Sequence, residues 1–163
     1  MSGGEQGTRS GTVGWSDHDG CFVCGPGNPD GLRLAFEVRE DRSVAATFHC
    51  ARALRSYEGT LHGGVIAAVL DAAMTNALFV RGVTGVTAEL TVRYVAPTRL
   101  DRAATARASL VEVRSHGLYV LRAELEQDGR VTARAKARFL ERARSERAAH
   151  GPGPLARGAN PCS

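Results

Sequence analysis

A single carboxylate lies within the most apolar segment of this chain. The segment GTLHGGVIAAVLDAAMTNAL covers residues 59–78, and Asp71 is its only charged side chain. Charge pairs on a helix form between residues three or four positions apart. None of the residues at that spacing is basic: they are Ala67, Ala68, Met74 and Thr75. A buried, unpaired carboxylate is costly or becomes protonated, so the pattern indicates an acid kept reactive in a cleft.

Asp71 also allows two plainer interpretations. An arginine from a strand or from a second subunit could pair with the carboxylate, or the side chain could lie on an exposed strip of the helix. An ion pair with arginine would make Asp71 a structural residue. An exposed position would make Asp71 an ordinary solvated surface residue.

The start of the same segment offers hydrogen-bond donors. His62, Gly63 and Gly64 open the predicted helix, and glycines there let a ligand approach the backbone closely. The first turn leaves N–H groups free at the positive end of the helix dipole, where they can stabilise a developing oxyanion. His62 is a candidate general base, but we favour a role in ordering the loop through a hydrogen bond.

The spacing between these features indicates a site shared by two subunits. Gly63 precedes Asp71 by eight residues, about 12 Å along a helix at 1.5 Å per residue. One helix therefore cannot bring both groups onto one small reacting group. An antiparallel helix of a second subunit, in a two-fold dimer, would place the glycine N–H of one chain beside the acid of the other.

The elements that must position these residues follow from periodicity. Hydrophobic spacing predicts one long helix over about residues 61–80, after two strands and before four more. The predicted strands cover residues 32–39, 43–50, 86–97, 102–114, 118–127 and 131–142. Tight turns between the late strands predict an antiparallel meander, and hence an α+β layer with a curved sheet around one central helix. Residues 1–19 are predicted to be flexible, residues 20–142 to form the domain, and residues 143–163 to be disordered.

Strict alternation assigns the two faces of the strand after the helix. It places Thr87 on the face opposite Leu90. The apolar face would comprise Val86, Ala88, Leu90, Val92 and Tyr94, and the polar face Thr87, Glu89, Thr91 and Arg93.

Composition excludes several classes of protein. The 163 residues suit one domain, with 43% hydrophobic and 23% charged residues. No apolar run is long enough to cross a bilayer, and the first residues contain no apolar signal core, so we expect a cytoplasmic protein without a membrane partner. The net charge of +4 is spread along the strands and aromatic residues make up only 6%, which argues against a nucleic-acid partner.

The cysteines give a weaker indication of a metal site. Cys21 and Cys24 have the CxxC spacing of metal and redox sites, but a tetrahedral zinc site requires further ligands. The only nearby candidates are His18, His49 and Cys50. The ligand count favours a tight turn with two half-buried thiols, and we expect no metal.

Three segments resemble a known family. The motif HGGVIAAVLDAAM (62–74) resembles that of hotdog-fold acyl-CoA thioesterases of the phenylacetate-pathway, PaaI-like group. The segment GVTAELTVRYVAPTR (85–99) resembles the strand after the helix in this family, including its aromatic-x-x-Pro ending. The segment CFVCGPGNPDGLRLAF (21–36) is similar to the start of a subgroup, so the likeness covers roughly residues 20–141.

The resemblance implies a fold, a reaction and an assembly. The fold is the hotdog fold, in which a curved antiparallel sheet wraps around one long helix. The reaction is hydrolysis of an acyl-CoA to a carboxylic acid and free coenzyme A, without a cofactor. Two subunits share a joined sheet as a homodimer with sites between subunits, and dimers can pair into a tetramer.

The resemblance also implies roles for individual residues. The Gly63 N–H would polarise the thioester carbonyl, and Asp71 of the other subunit would act as general base on water or as nucleophile. Thr87 would help to hold the water. His62 and Gly64 would contribute to substrate binding.

One position departs from the family pattern. Many relatives have asparagine six residues before the HGG histidine, and here that residue is Ser56. Ser56 or Glu58 could take over substrate binding, or the activity is weak, or the substrate differs. This departure keeps a second hypothesis open, a non-catalytic acyl-CoA or acyl-carrier binding protein. A hotdog dehydratase is a third and less favoured alternative, because it would require a catalytic histidine beside the acid.

Overall fold

The computed structural model describes residues 18–142. The predicted disordered tail (143–163) lies outside the described residues, as does the predicted flexible start apart from residues 18 and 19. No helix in the described part is long and apolar enough to span a membrane.

Six antiparallel strands form one sheet. The strands are β1 (Glu37–Val38), β2 (Val44–His49), β3 (Gly85–Tyr94), β4 (Ala103–Arg114), β5 (Leu118–Gln127) and β6 (Arg130–Glu141). Their order across the sheet is β1-β2-β4-β5-β6-β3. Strand β3 follows the helix in sequence but pairs with β6, so it forms one edge of the sheet.

One helix, α1 (Gly63–Phe79), crosses the concave face of the sheet. Its second half is buried all round, as expected for a helix that is apolar on one face and small on the other. The sheet meets it with small side chains, which allow the two backbones to approach closely. These buried alanines are Ala104, Ala106, Ala108, Ala123, Ala133, Ala135 and Ala137. The predicted α+β architecture, a curved sheet around one central helix, is confirmed.

The first predicted strand is much shorter than the sequence pattern indicated. Only Glu37–Val38 pairs within the sheet, whereas residues 32–39 were expected to do so. Arg33 has a φ of 50°, a left-handed conformation that interrupts an extended strand. The N–H groups of Leu32 and Leu34 donate instead to the carbonyls of Phe22 and Val23. Residues 32–36 are therefore held by the preceding turns and not by a neighbouring strand.

A β-bulge corrects the predicted faces of β3. Thr87 lies opposite Phe139 and Glu89 opposite Arg138, so the extra residue between them shifts the alternation. Phe139 is fully buried towards the helix, and Leu90 lies opposite the buried Ala137. Thr87 and Leu90 consequently share the helix-facing side, whereas strict alternation had placed them on opposite faces.

Candidate functional site

Asp71 and Thr87 are brought together by the helix and by the β-bulge. Asp71 lies halfway along α1 on its half-buried side, and β3 passes this side of the helix. The Thr87 hydroxyl donates a hydrogen bond of 2.7 Å to Asp71 Oδ1. Because the bulge turns Thr87 towards the helix, this contact depends on the irregularity in the strand. The bond fixes one carboxylate oxygen and leaves the other for a further ligand.

Burial and neighbouring groups shift the pKa of the Asp71 carboxyl in opposite directions. Loss of hydration raises the pKa of the Asp71 carboxyl above its usual value. The Thr87 hydrogen bond and the nearby His18 imidazole lower that pKa and offset part of the increase. Among residues 18–142, no ion pair includes Asp71. An arginine from a strand of the described part therefore does not neutralise this acid.

His62 caps the N-terminus of α1. Its backbone is extended, and its Nδ1 accepts a hydrogen bond of 2.9 Å from the Gly64 N–H. Because this nitrogen accepts a hydrogen bond from the first turn, it acts as an N-cap and is not free to accept a proton from water. The N–H groups of Val65 and Ile66 donate to the His62 carbonyl. Within the described chain the Gly63 N–H has no acceptor, so it is the donor that the first turn leaves available.

Tyr94 fixes the position of Gly63. The Tyr94 hydroxyl donates a hydrogen bond of 2.7 Å to the Gly63 carbonyl. A Cβ atom at position 63 would lie 3.3 Å from the Tyr94 ring, so the glycine allows this close contact. This role of Tyr94 was not among the sequence-based predictions. The aromatic-x-x-Pro ending of the strand was the available signal, but it does not reveal which residue the ring contacts.

A cleft of about 400 Å³ opens beside the helix start. Ser56, Gly63 and Tyr94 are among its lining residues, so the structure brings Ser56 and Gly63 together. Ser56 is exposed, and its hydroxyl makes a long contact of 3.5 Å with the Thr60 carbonyl. Asp71 is not part of this cleft, as expected from its separation from Gly63 along one rigid helix.

Glu58 lies elsewhere. It lines a separate groove of about 220 Å³, together with Arg52, Arg55 and Asp101. The structure therefore does not bring Glu58 beside Gly63 within one chain. A further groove of about 540 Å³ lies against β1 and β2 and contains none of the predicted site residues.

His18 lies near Asp71, a proximity that the sequence did not reveal. Its ring packs edge-on against Phe79 at a centroid distance of 5.0 Å, and its Nδ1 lies 3.3 Å from Cys24 Sγ. Burial lowers the pKa of His18, and the charge of Asp71 opposes that effect. Burial also raises the pKa of the Cys24 thiol to about 11. The segment before β1 therefore packs against the same side of α1 that carries the acid.

Part of the chain matches a known family model. Residues 58–133 match the model of the Thioesterase superfamily, a range that contains Gly63, Asp71 and Thr87. The chain finds no match among curated proteins.

Solved structures share the fold. A crystal structure of a thioesterase superfamily protein has 29% identity and a TM-score of 0.69, over 72% of this chain and 61% of that one. The present chain thus spans less than two thirds of that protein. A hypothetical thioesterase from Streptococcus pneumoniae with coenzyme A has 21% identity and a TM-score of 0.63, over 68% of this chain and 86% of that one.

The PaaI protein from the phenylacetic acid degradation operon of E. coli has the same fold. It has 16% identity and a TM-score of 0.63, over 69% of this chain and 81% of that one. The predicted resemblance to hotdog-fold thioesterases is confirmed by the family model and by the shared fold, which the PaaI protein also has.

Proposed function

We propose that this chain, which has the hotdog fold of the thioesterase superfamily, hydrolyses an acyl-CoA to a carboxylic acid and free coenzyme A. The observation that carries the proposal is the half-buried Asp71 carboxylate, which forms no ion pair in the described chain and is oriented by Thr87. Such an acid fits a general base better than a structural ion pair.

The chemistry requires one base and one oxyanion donor. Asp71 would take a proton from water while the water oxygen forms a bond to the thioester carbon. The carbonyl oxygen becomes negatively charged, and the free Gly63 N–H would stabilise that charge. The C–S bond then breaks, coenzyme A leaves as a thiolate, and the proton on Asp71 returns to the sulfur or to solvent.

Asp71 could instead attack the carbonyl directly. That route would form an acyl anhydride with the carboxylate, which water then hydrolyses. Single turnover in ¹⁸O-labelled water distinguishes the two routes. The nucleophilic route transfers label into the Asp71 side chain when water attacks that side of the anhydride, whereas the general-base route labels only the product acid.

A second copy of the chain would complete the site. Strand β3 is an edge strand, and in the described part no strand pairs with its outer side. An edge of this length exposes unpaired N–H and C=O groups that can pair with another strand. Antiparallel pairing of two β3 strands would set two α1 helices side by side in opposite directions. Gly63 of one subunit could then face Asp71 of the other.

Two observations support an acyl-CoA as the substrate class. The Streptococcus pneumoniae structure contains coenzyme A, and a basic chain of net charge +4 suits a polyanionic substrate. We propose a cytoplasmic location, in which a coenzyme A thioester would be available as substrate. A homodimer is the smallest assembly that this site allows, and light scattering would distinguish it from a tetramer.

The direct test is release of free thiol across a panel of acyl-CoA substrates of different chain length and with aryl groups. Turnover that increases with one acyl class would support the proposal. Thermal stabilisation by acyl-CoA without turnover of any member would instead favour a binding protein, the alternative that Ser56 keeps open. A monomer in solution would contradict the two-subunit site.

Thr87→Val tests the positioning of the acid. The substitution keeps the shape and removes a hydrogen bond to a charged group, so kcat/KM should fall about tenfold, equivalent to roughly 1.4 kcal/mol. Because the lost bond lowers the pKa of Asp71, the acid limb of the pH profile should move to higher pH. Thr91→Val is the matched control, since Thr91 lies opposite Lys136 on the outer face of β3. An unchanged acid limb in Thr87→Val would contradict the assigned role.

A further inference from the structure

Three potential metal ligands converge beside the second half of α1. They are the His18 imidazole and the thiols of Cys21 and Cys24, and their ligand atoms all lie within 4.8 Å of one another. The residues follow each other at intervals of three along one turn. We propose that this cluster binds a Zn²⁺ ion.

The distances suit zinc. Ligands of a tetrahedral site, with Zn–S near 2.3 Å and Zn–N near 2.0–2.1 Å, lie about 3.5–3.8 Å from one another. His18 Nδ1 and Cys24 Sγ are 3.3 Å apart, so the cluster requires only small adjustments to close on an ion. Thiolate and imidazole together select zinc over the harder cations. Two thiolates also neutralise its charge within a half-buried site.

Both sulfur atoms already have N–H donors. The Val23 N–H donates to Cys21 Sγ at 3.4 Å, and the Asn76 Nδ2 donates to Cys24 Sγ at 3.4 Å. Donors of this kind stabilise thiolate ligands and set their orientation. Asn76 is only 2% exposed and is itself held by a 2.8 Å bond to the Ala72 carbonyl. The second donor therefore comes from a rigid helix and not from the turn.

The surrounding chain has little regular structure of its own. Residues 21–36 contain no strand or helix, yet Val23, Leu34 and Phe36 from this segment are buried in the core. Backbone bonds from Cys21 to His18 and from Gly25 to Cys21 close the turn that carries the cluster. A metal bound there would stabilise the turn and, through Asn76, connect it to α1.

The cluster contains none of the proposed hydrolytic groups, although His18 is close enough to Asp71 to affect the pKa of its carboxyl. Asn76 lies five residues beyond Asp71, about 7.5 Å along the helix. The described residues supply three ligands, so a water or another exogenous ligand would occupy the fourth position. The metal site stands whether or not the chain hydrolyses acyl-CoA. Cobalt spectra and metal content report on it without any assay of turnover.

The primary test is metal content of the full chain expressed with added zinc and then dialysed. We expect about one zinc per chain. Co²⁺ substitution should give the thiolate charge-transfer absorption and the d–d bands of a tetrahedral site. Cys21→Ser, Cys24→Ser and His18→Ala should each reduce both signals. The matched controls Cys50→Ala and His49→Ala should leave them unchanged, because neither residue belongs to the cluster.

Asn76→Ala provides a second variant in case a ligand variant fails to fold. It retains all three ligands and removes the N–H donor to Cys24 Sγ. Zinc affinity, measured by competition with a chromophoric chelator, should fall about 10- to 100-fold. Absence of stoichiometric zinc and of the cobalt thiolate band in the wild-type chain would overturn the proposal. So would zinc lost equally in Cys50→Ala, or a Cys21–Cys24 disulfide in freshly purified protein.

Discussion

Asp71→Asn should lower kcat by roughly 10²- to 10⁴-fold, the usual contribution of a general base. Asparagine has nearly the same shape and can still accept the hydrogen bond from Thr87 at Oδ1. It cannot take a proton from water or attack the thioester carbon. The loss should therefore appear in kcat and kcat/KM together, while the affinity for a non-hydrolysable acyl-CoA analogue stays near that of the wild type.

The same substitution should not destabilise the fold. Burial raises the pKa of Asp71 in the folded state, so the folded chain binds this proton more tightly than the unfolded chain does. The stability linked to this group is therefore present below the unfolded pKa and decreases as the pH rises through the folded pKa. At a pH above the folded pKa the ionised Asp71 opposes folding, so the Tm of Asp71→Asn should be equal to or above that of the wild type.

Asp41→Asn is the matched control. Asp41 is exposed in the turn before β2, and its hydrogen bonds from Ser43 lower the pKa of its carboxyl. The pH dependence of stability that Asp41 contributes is opposite to that of Asp71. Because the folded pKa of Asp41 is lowered, Asp41 stabilises the fold at pH values above its unfolded pKa. Asp41→Asn should keep full activity and should not raise the Tm. Turnover retained by Asp71→Asn would contradict the catalytic role, and loss of both the fold and the activity would make Asp71 a structural residue.

The sequence predicted the fold because its patterns are local. Alternation over residues 118–127 and 131–142 and helical spacing over residues 61–80 are visible without any tertiary information. The unusual position of Asp71 was equally visible, since no basic residue occupies the neighbouring helical positions. Periodicity therefore identified the helix and the strands. It also singled out Asp71 as the residue whose position a purely structural role does not explain.

The missing details are those set by tertiary contacts. Strict alternation could not reveal the bulge between Thr87 and Glu89, because the register with β6 determines where the extra residue lies. The left-handed Arg33 has no sequence signature comparable to glycine. The approach of His18 to Asp71 joins positions that are 53 residues apart in the sequence. The bulge and the approach of His18 decide which side chains meet at the candidate site, whereas Arg33 shortens a strand of the fold.

Gly63→Pro should reduce kcat about 10²- to 10³-fold, because proline has no N–H to stabilise the oxyanion. The backbone accommodates the change. Gly63 is the first helical residue, where proline is favoured, and His62 has φ −64° and ψ 131°, the conformation that precedes proline. Gly63→Ala is the control, because it adds a Cβ near the Tyr94 ring but retains the N–H. The larger loss in Gly63→Pro would therefore measure the donor itself.

Mixed dimers of Gly63→Pro and Asp71→Asn test whether the two groups come from different chains. Each homodimer lacks one required group at both sites. In the mixed dimer, one site combines the intact Gly63 of one chain with the intact Asp71 of the other, and the second site carries both defects. Co-expression with two affinity tags should thus recover about half of the wild-type activity per dimer. If both groups of a site came from one chain, every site would carry one defect and mixing would recover no activity. We expect recovery, because Gly63 and Asp71 lie too far apart along one helix to act on the same thioester.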